Sequence, residues 1–338
     1  MKRKPVSYPE LNQHISADDP RYSDAWRRVL NRLGEYTATI VRSYRMNPRK
    51  VEFLAQTEQY ILIRIHMPGE YVILRIAPVL DLAREVYFSR TMEKQQLPVA
   101  RIMHYDLGRT LVPFAYTIEG YIGGYTGYQL ESSHMVYGLA RQVGRILRRI
   151  HRIEAEGWGY PSPGGRWKHA EWRSVLLELH HAVAPRDVLA FLLLEEEHAM
   201  VTTTIEYLAM VLPAPQLMHG DIGPHTVRCN VGQGQVHLEG LVHPGRLIAG
   251  DGLLDLAIGM NNAYPQEWCS GLFEGYGALM PLSIEDLERL RLWQLLTTLW
   301  QTCHQYTSGE PYTEMLEHTH LLLAELRSQQ VDAMGDDG

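Results

Sequence analysis

The sequence predicts an α+β chain with a β-rich N-terminal part and a larger, mostly helical remainder. Three observations carry this. Tyr60–Ile65 (YILIRI) and Tyr71–Ile76 (YVILRI) are rich in β-branched and aromatic residues and flank a turn centred on Pro68-Gly69. Residues 135–153 place Leu139, Val143, Ile146, Leu147 and Ile150 on one helical stripe. Far along the helical part, residues 227–231 and 236–242 form a hairpin pattern around Gly232, Gln233 and Gly234.

The elements follow in order. Residues 1–22 are polar, carry Pro5, Pro9 and Pro20, and read as an extended arm. Residues 24–33 show Trp26, Val29, Leu30 and Leu33 at helical spacing, with Gly34 as the stop signal. From residue 39 to 76 the pattern is β-rich. A helix is predicted over 80–93, a strand over 97–102, and a last strand over Tyr116–Tyr121. Gly120, Gly123, Gly124 and Gly127 then make a connector. Residues 23–121 are thus expected to form a small N-terminal lobe and 122–328 a C-terminal lobe. Helices are expected over 135–153, 171–182, 188–212, 284–306 and 312–327. The segment 284–306 carries Leu287, Leu290, Trp293, Leu296 and Trp300 at helical spacing. The tail 329–338 is acidic and reads as frayed.

Composition bounds the class. The chain has 338 residues, 45% hydrophobic and 21% charged, an ordinary globular balance. Lys and Arg number 32 against 39 Asp and Glu, a net charge of −7, which gives no electrostatic footprint for nucleic acid. The three cysteines, Cys229, Cys269 and Cys303, are widely spaced and make neither a metal motif nor a disulfide framework. Basic residues at the N-terminus are followed by no apolar run, so no secretory signal is read there, and no segment reads as a membrane span. A soluble cytoplasmic protein is expected.

Chemistry concentrates in residues 216–257. An apolar run leads into His219-Gly220-Asp221; the hairpin follows; then comes Gly250-Asp251-Gly252-Leu253-Leu254-Asp255-Leu256-Ala257. This resembles the catalytic core of the aminoglycoside phosphotransferase and choline kinase group, with its H-G-D-L-H-P-G-N, a hairpin, I-D-W and G-D-P-x-x-D-L-A. The resemblance implies a bilobal protein-kinase-like fold. It implies Asp221 as the catalytic carboxylate, with His219 and Asp255 holding its loop. In the N-terminal lobe, Arg75 in Val72-Ile73-Leu74-Arg75 stands at the phosphate-binding lysine position, and Glu85 at that of the glutamate that pairs with it. Glu119 and Tyr121 fall where the adenine would bind. Arg suits phosphate through its planar fork, and an edge-strand Arg facing solvent is the plain alternative.

The same alignment places Thr226 at the metal-binding Asn position and His243 at the metal-binding Asp position. Mg²⁺ takes hard oxygen ligands, which imidazole does not supply. Residues 42–59 lack glycine, so the phosphate-covering loop is also altered. His219, Asp221, His225 and His243 suit a transition metal better than Mg²⁺, though unrelated histidines are the simpler reading in a chain with sixteen. Glu195, Glu196 and Glu197 read as a solvated helix face or as a wall for a cationic acceptor. His151 reads as a core histidine. The expectation is a kinase-fold protein with a degenerate Mg-ATP site that binds a ligand or protein partner and needs no cofactor. The alternative is an active phosphotransferase using ATP or GTP with Mg²⁺ on a hydroxyl of a small molecule or peptide, with Asp221 as base. Neither reading includes nucleic acid or membrane.

Overall fold

The structure is a computed structural model that describes residues 7–14, 23–56, 60–78, 82–211, 214–245 and 247–335. Most of the arm expected over 1–22, the stretch 57–59, the predicted start of the 80–93 helix and the last three residues lie outside these. The chain divides into two compact units. One holds residues 1–124, 161–166 and 239–242; the other holds 125–160, 167–238 and 243–338.

The first unit is a five-stranded antiparallel sheet backed by short helices. α1 (Asp24–Leu30) starts at Ser23, whose side chain accepts from the Trp26 N–H. The sequence marks Gly34 as a stop, but α2 (Leu33–Ser43) runs through it. The Gly34 N–H donates to Asn12 Oδ1 at 2.8 Å. Leu33, Ile40 and Val41 continue the apolar face of Trp26, Val29 and Leu30, and all six are buried. Burial at about 25 cal/mol per Å² outweighs the roughly 1 kcal/mol cost of a helical glycine. Residues 39–43, expected as β, are therefore helical.

β1 (Lys50–Gln56), β2 (Ile61–His66) and β3 (Tyr71–Ala77) follow, then α3 (Ala83–Lys94), β4 (Ile102–Asp106) and β5 (Ala115–Gly120). The sheet order is β1-β2-β3-β5-β4. Ile61, Ile63 and Ile65 share a buried face with Val72, Leu74, Ile76, Tyr116 and Ile118, against the α1 and α2 side chains. This is the period of two that the strands advertise. The opposite face of β3 and β5 carries Arg75 and Glu119. The strand expected over 97–102 reduces to a single bridge, Val99 to Leu241, before β4 begins.

The second unit is mostly helical. α4 (Ser133–Ile150) buries Leu139, Val143, Leu147 and Ile150 completely. Two short strands, β6 (Trp158–Pro161) and β7 (Trp167–His169), precede α5 (Trp172–Val183), α6 (Arg186–Leu192) and α7 (Glu195–Met210). The sequence predicts one helix over 188–212, and the structure breaks it at Leu193-Leu194. Leu194 is extended, and its N–H donates to Glu197 Oε2 at 2.8 Å. Three glutamates in a row favour a fresh N-terminus, where the helix dipole attracts negative charge. β8 (Gln216–Leu217) leads to His219-Gly220-Asp221, and β9 (Val227–Gly232) and β10 (Gln235–Leu241) form the predicted hairpin. Gln233 and Gly234 both have positive φ, +53° and +76°, as a two-residue type I′ turn requires. β11 (Ala249–Gly250), α8 (Gly252–Gly259), α9 (Gln266–Gly277), α10 (Ile284–Ser308) and α11 (Thr313–Gly335) complete the chain. The tail read as frayed is helical through Gly335. Among the described residues, no helix is long and apolar enough to cross a membrane.

Candidate active site

In the first unit, register brings the predicted residues together. Arg75 pairs with Thr117, and Ile73 with Glu119, so Arg75 and Glu119 are diagonal neighbours on one face. Arg75 Nη2 donates to Glu119 Oε1 at 2.7 Å, and both side chains are buried. The guanidinium lies 4.9 Å from the centre of the Tyr60 ring. Glu85, on α3, is buried as well. Its Oε1 accepts from the Tyr60 hydroxyl at 2.9 Å and lies 3.3 Å from Arg84 Nε. Burial pulls the Arg75 pKa down, but the charges of Glu119 and Glu85 more than offset this and leave it raised. Arg75 is thus buried rather than solvent-facing; its ion pair is with Glu119, and Glu85, bonded to Tyr60 and Arg84, acts on it through charge. Among the described residues it belongs to a cluster of two guanidinium groups and two carboxylates, Arg75, Arg84, Glu85 and Glu119, whose formal charges cancel.

Tyr121 is exposed at the end of the sheet. Its ring meets that of Tyr71 edge-on at 6.0 Å, and Arg64 lies over both, 5.7 Å from Tyr121 and 5.9 Å from Tyr71. Glu52 anchors Arg64 at 2.5 Å. Lys50, with His66 and Arg64, holds the Glu52 carboxyl down at about 2 against the cost of burial.

The second unit holds the His219-Gly220-Asp221 loop. Asp255, fully buried on α8, accepts from the backbone N–H of His219 at 2.5 Å and of Gly220 at 2.9 Å. These two bonds fix the turn that presents Asp221. Gly220 has φ +78°, and a Cβ there would lie 2.0 Å from the Leu247 carbonyl oxygen, so glycine is required. His151, buried as its sequence suggests, stands behind Asp255. Its Nε2 is 3.2 Å from Asp255 Oδ2 and its Nδ1 is 2.8 Å from the Tyr276 hydroxyl. Arg148 Nη1 donates to that hydroxyl at 3.2 Å, and burial pushes Tyr276 up to about 12. His219 itself is fully buried. Asp251 caps α8 through the Leu253 N–H and accepts from Trp293 Nε1 at 2.7 Å.

Asp221 is half exposed. His225 Nε2 lies 3.4 Å from its Oδ1. The rings of Tyr128 and Tyr264 flank His225, at 6.5 and 6.2 Å between centres. Burial, then the Asp221 charge, raises the Tyr264 hydroxyl pKa and keeps it a donor. The family pattern gives no sign of Tyr128 or Tyr264; both lie outside the motif. Against the pattern H-G-D-L-H-P-G-N, the chain reads Asp221-Ile222-Gly223-Pro224-His225-Thr226, with the second histidine and glycine exchanged.

Thr226 faces inward. It is fully buried, and its Oγ1 accepts from the Gly223 N–H at 3.0 Å and lies 3.0 Å from the Asp221 carbonyl and 3.1 Å from that of Gly223, as donor to one of them. His243 sits in the left-handed region, φ +58°, and is half buried. Among the described residues, no three or more His, Cys, Asp or Glu side chains are placed to hold a metal ion. Thr226 and His243, which the family resemblance sets at the metal positions, do not offer the oxygen ligands that suit Mg²⁺. One is a hydroxyl already committed to backbone groups, and the other is an imidazole.

The sequence model of the APH phosphotransferase enzyme family matches residues 52–293. No curated protein matches the chain. Among solved structures, a thermostable mutant of aminoglycoside phosphotransferase APH(4)-Ia in its apo form superposes with a TM-score of 0.61 at 17% identity, over 85% of this chain and 98% of that one. A further variant of that thermostable mutant is known in a ternary complex with ADP and hygromycin B. A GDP and kanamycin complex of APH(2")-IIia gives 0.56 at 14% identity, over 87% of this chain and 99% of that one. A putative fructosamine-3-kinase from Haemophilus somnus 129PT gives 0.55 at 14% identity, over 85% of this chain and 95% of that one.

Proposed function

This chain belongs to the phosphotransferase enzyme family, and we propose that within it the protein acts by binding a ligand or protein partner, its Mg-ATP site being degenerate. One observation carries the reading. Thr226, at the position of a metal-binding Asn, has its only side-chain oxygen buried and spent on the loop backbone. The Arg75 cluster supports it. A guanidinium offset by Glu119 and Glu85 offers a polyphosphate no net positive charge, and freeing it means leaving a buried carboxylate without its partner. Loss of metal stabilisation of about 5 kcal/mol lowers turnover by three to four decades, at roughly tenfold per 1.36 kcal/mol. A cytoplasmic location belongs to the same reading, supported by three free cysteines.

Calorimetric titration with ATP and GTP, each with Mg²⁺ or Mn²⁺, tests this. Binding weaker than about 1 mM is expected. Tight, metal-dependent binding overturns it and favours the second reading, a phosphotransferase acting on a hydroxyl. That reading has its own observation: Asp221 is presented half exposed by a loop whose backbone ties are intact. Relatives caught with ADP or GDP beside hygromycin B or kanamycin make a small-molecule acceptor the natural substrate class in that case.

A further inference from the structure

A buried polar chain lies behind the Asp221 loop, and two of its members, Arg148 and Tyr276, fall outside the family pattern. Helices α4 and α9 touch backbone to backbone. A Cβ at Gly144 would lie 2.2 Å from the Leu272 carbonyl oxygen, and one at Gly275 2.1 Å from that of Arg141. Only glycine allows this approach. It sets Tyr276, the residue after Gly275, against the end of α4, where Arg148 and His151 stand. On the α8 side, a Cβ at Gly252 would lie 2.5 Å from the His151 ring. The imidazole is thus enclosed, with one nitrogen toward Tyr276 and the other toward Asp255.

Arg148, Tyr276, His151 and Asp255 are all buried. Among the described residues Arg148 meets no carboxylate. Its guanidinium lies 4.8 Å from the centre of the Tyr276 ring and donates to the hydroxyl. A buried cation with no carboxylate beside it is costly to keep.

The two ends of the chain fix the direction of its protons. A guanidinium only donates, and an ionised carboxylate only accepts. The Tyr276 oxygen accepts from Arg148, so its own proton points to His151 Nδ1, 2.8 Å away. Nδ1 is then an acceptor, and the imidazole proton sits on Nε2, 3.2 Å from Asp255 Oδ2. Asp255 in turn accepts from the His219 and Gly220 N–H groups. The other tautomer sets a lone pair against the carboxylate and two protons against each other. An imidazolium leaves the Tyr276 proton without an acceptor. Either alternative leaves a buried group unsatisfied.

We propose that Tyr276 and Arg148 are positioning residues for Asp221. They hold His151 in its Nε2–H form, His151 steadies Asp255, and Asp255 fixes the backbone turn that presents Asp221. The inference goes beyond the reading of a degenerate Mg-ATP site. It concerns the shape of the loop and not its ligand, so the outcome of a nucleotide titration leaves it untouched.

The test combines nitrogen-15 NMR of histidine-labelled protein with hydrogen exchange. In the unaltered protein, His151 is expected to carry its ring proton on Nε2 alone. Tyr276→Phe should speed exchange of the His219 and Gly220 amides about tenfold and Arg148→Met about threefold, each relative to the interior of α10. His151→Gln presents a donor and an acceptor, as that tautomer does, and should stay within about twofold of the original. His151→Leu presents neither and should match Tyr276→Phe. Combining the changes separates positioning from packing. Tyr276→Phe should add nothing in the His151→Leu background and about tenfold in the His151→Gln background. A tyrosine that only packs acts equally in both. A His151 proton on Nδ1 or on both nitrogens overturns the proposal. So does a Tyr276→Phe protein whose loop exchanges no faster than α10, or an equal effect in the two backgrounds. The place of the His151 proton is read on the unaltered protein, so a variant that fails to fold does not rescue the proposal.

Discussion

The two polar clusters that the family resemblance points to differ in what their groups serve. In the second unit, Asp255 spends its carboxylate on two backbone N–H groups, and the product is a loop that holds Asp221 half exposed. In the first, Arg75, Arg84, Glu85 and Glu119 spend their charges largely on one another. On the proposed reading, the groups that shape backbone are those the family pattern retains, while Arg75 and Thr226, which that pattern would turn to phosphate and metal, are buried among protein partners. A kinase fold persists when the first kind is retained, because the loop geometry needs no ligand to form.

The largest effect is expected at Glu119. Glu119→Ala leaves Arg75 charged in a buried position, and removing one partner of a buried pair costs about 3–5 kcal/mol. Urea unfolding reads this directly. The double variant Glu119→Leu with Arg75→Met is expected to recover most of the loss, since an apolar pair carries no unpaired charge. A Glu119→Ala protein that keeps its stability and gains Mg-ATP affinity breaks the comparison, because Arg75 is then a phosphate ligand held in reserve.

Asp255 comes next. Asp255→Ala strips the His219 and Gly220 N–H groups of their acceptor and leaves His151 facing a gap. About 3 kcal/mol is expected, at 1–3 kcal/mol for each orphaned buried group. The same change should raise hydrogen exchange at residues 219–223 before it does so at α4. A stable Asp255→Ala protein with an unchanged loop means that the loop is held elsewhere.

A buried histidine gives the next step down. His180 on α5 accepts from Trp300 Nε1 at 3.0 Å. Burial, then the charges of His181 and His198, lower its pKa from 6.5 to about 4. The unfolded chain therefore binds more protons than the folded one between these values. Its contribution is fully present above pH 6.5 and is lost as pH falls through 4, about 3 kcal/mol over the whole range, of which about 2 kcal/mol goes between pH 7 and 5. Unfolding midpoints at pH 7 and 5 should separate the original protein from His180→Gln, which loses this slope.

The sequence made the frame legible because strands, hairpin and loop announce themselves locally. Alternation in 61–65 and 72–76, and Gly234 in the turn, each depend on a few neighbouring residues. What was hidden depends on register or on competing patterns. Glu119 meets Arg75 only because β5 pairs with β3 so as to make them diagonal neighbours, and the αC-like Glu85 was the nearer candidate in sequence. Gly34 failed as a stop because Leu33, Ile40 and Val41 had a sheet to cover. The break before α7 followed from its own capping glutamate, a signal present in the sequence but outweighed there by continuous helical spacing. Nothing in the letters 221–226 says which way Thr226 points.

That direction is the smallest effect and the sharpest test of the comparison. Thr226→Val keeps the shape and removes the hydroxyl, so the Gly223 N–H loses its acceptor and a loop carbonyl loses its donor; about 1–2 kcal/mol is expected. Thr226→Ser keeps the oxygen and should lose less. Thr226→Asn restores the family amide, but in a fully buried position its extra volume must be absorbed by the loop. Nucleotide affinity is therefore expected to stay below detection in Thr226→Asn. It should stay low when His243→Asp is added too, even though the pair returns the oxygen ligands that Mg²⁺ favours. A double variant that folds and binds Mg-ATP tightly shows that replaced ligands alone silence the site. One that folds and binds none shows that the inward turn of the loop, together with the neutralised Arg75, is enough to close it.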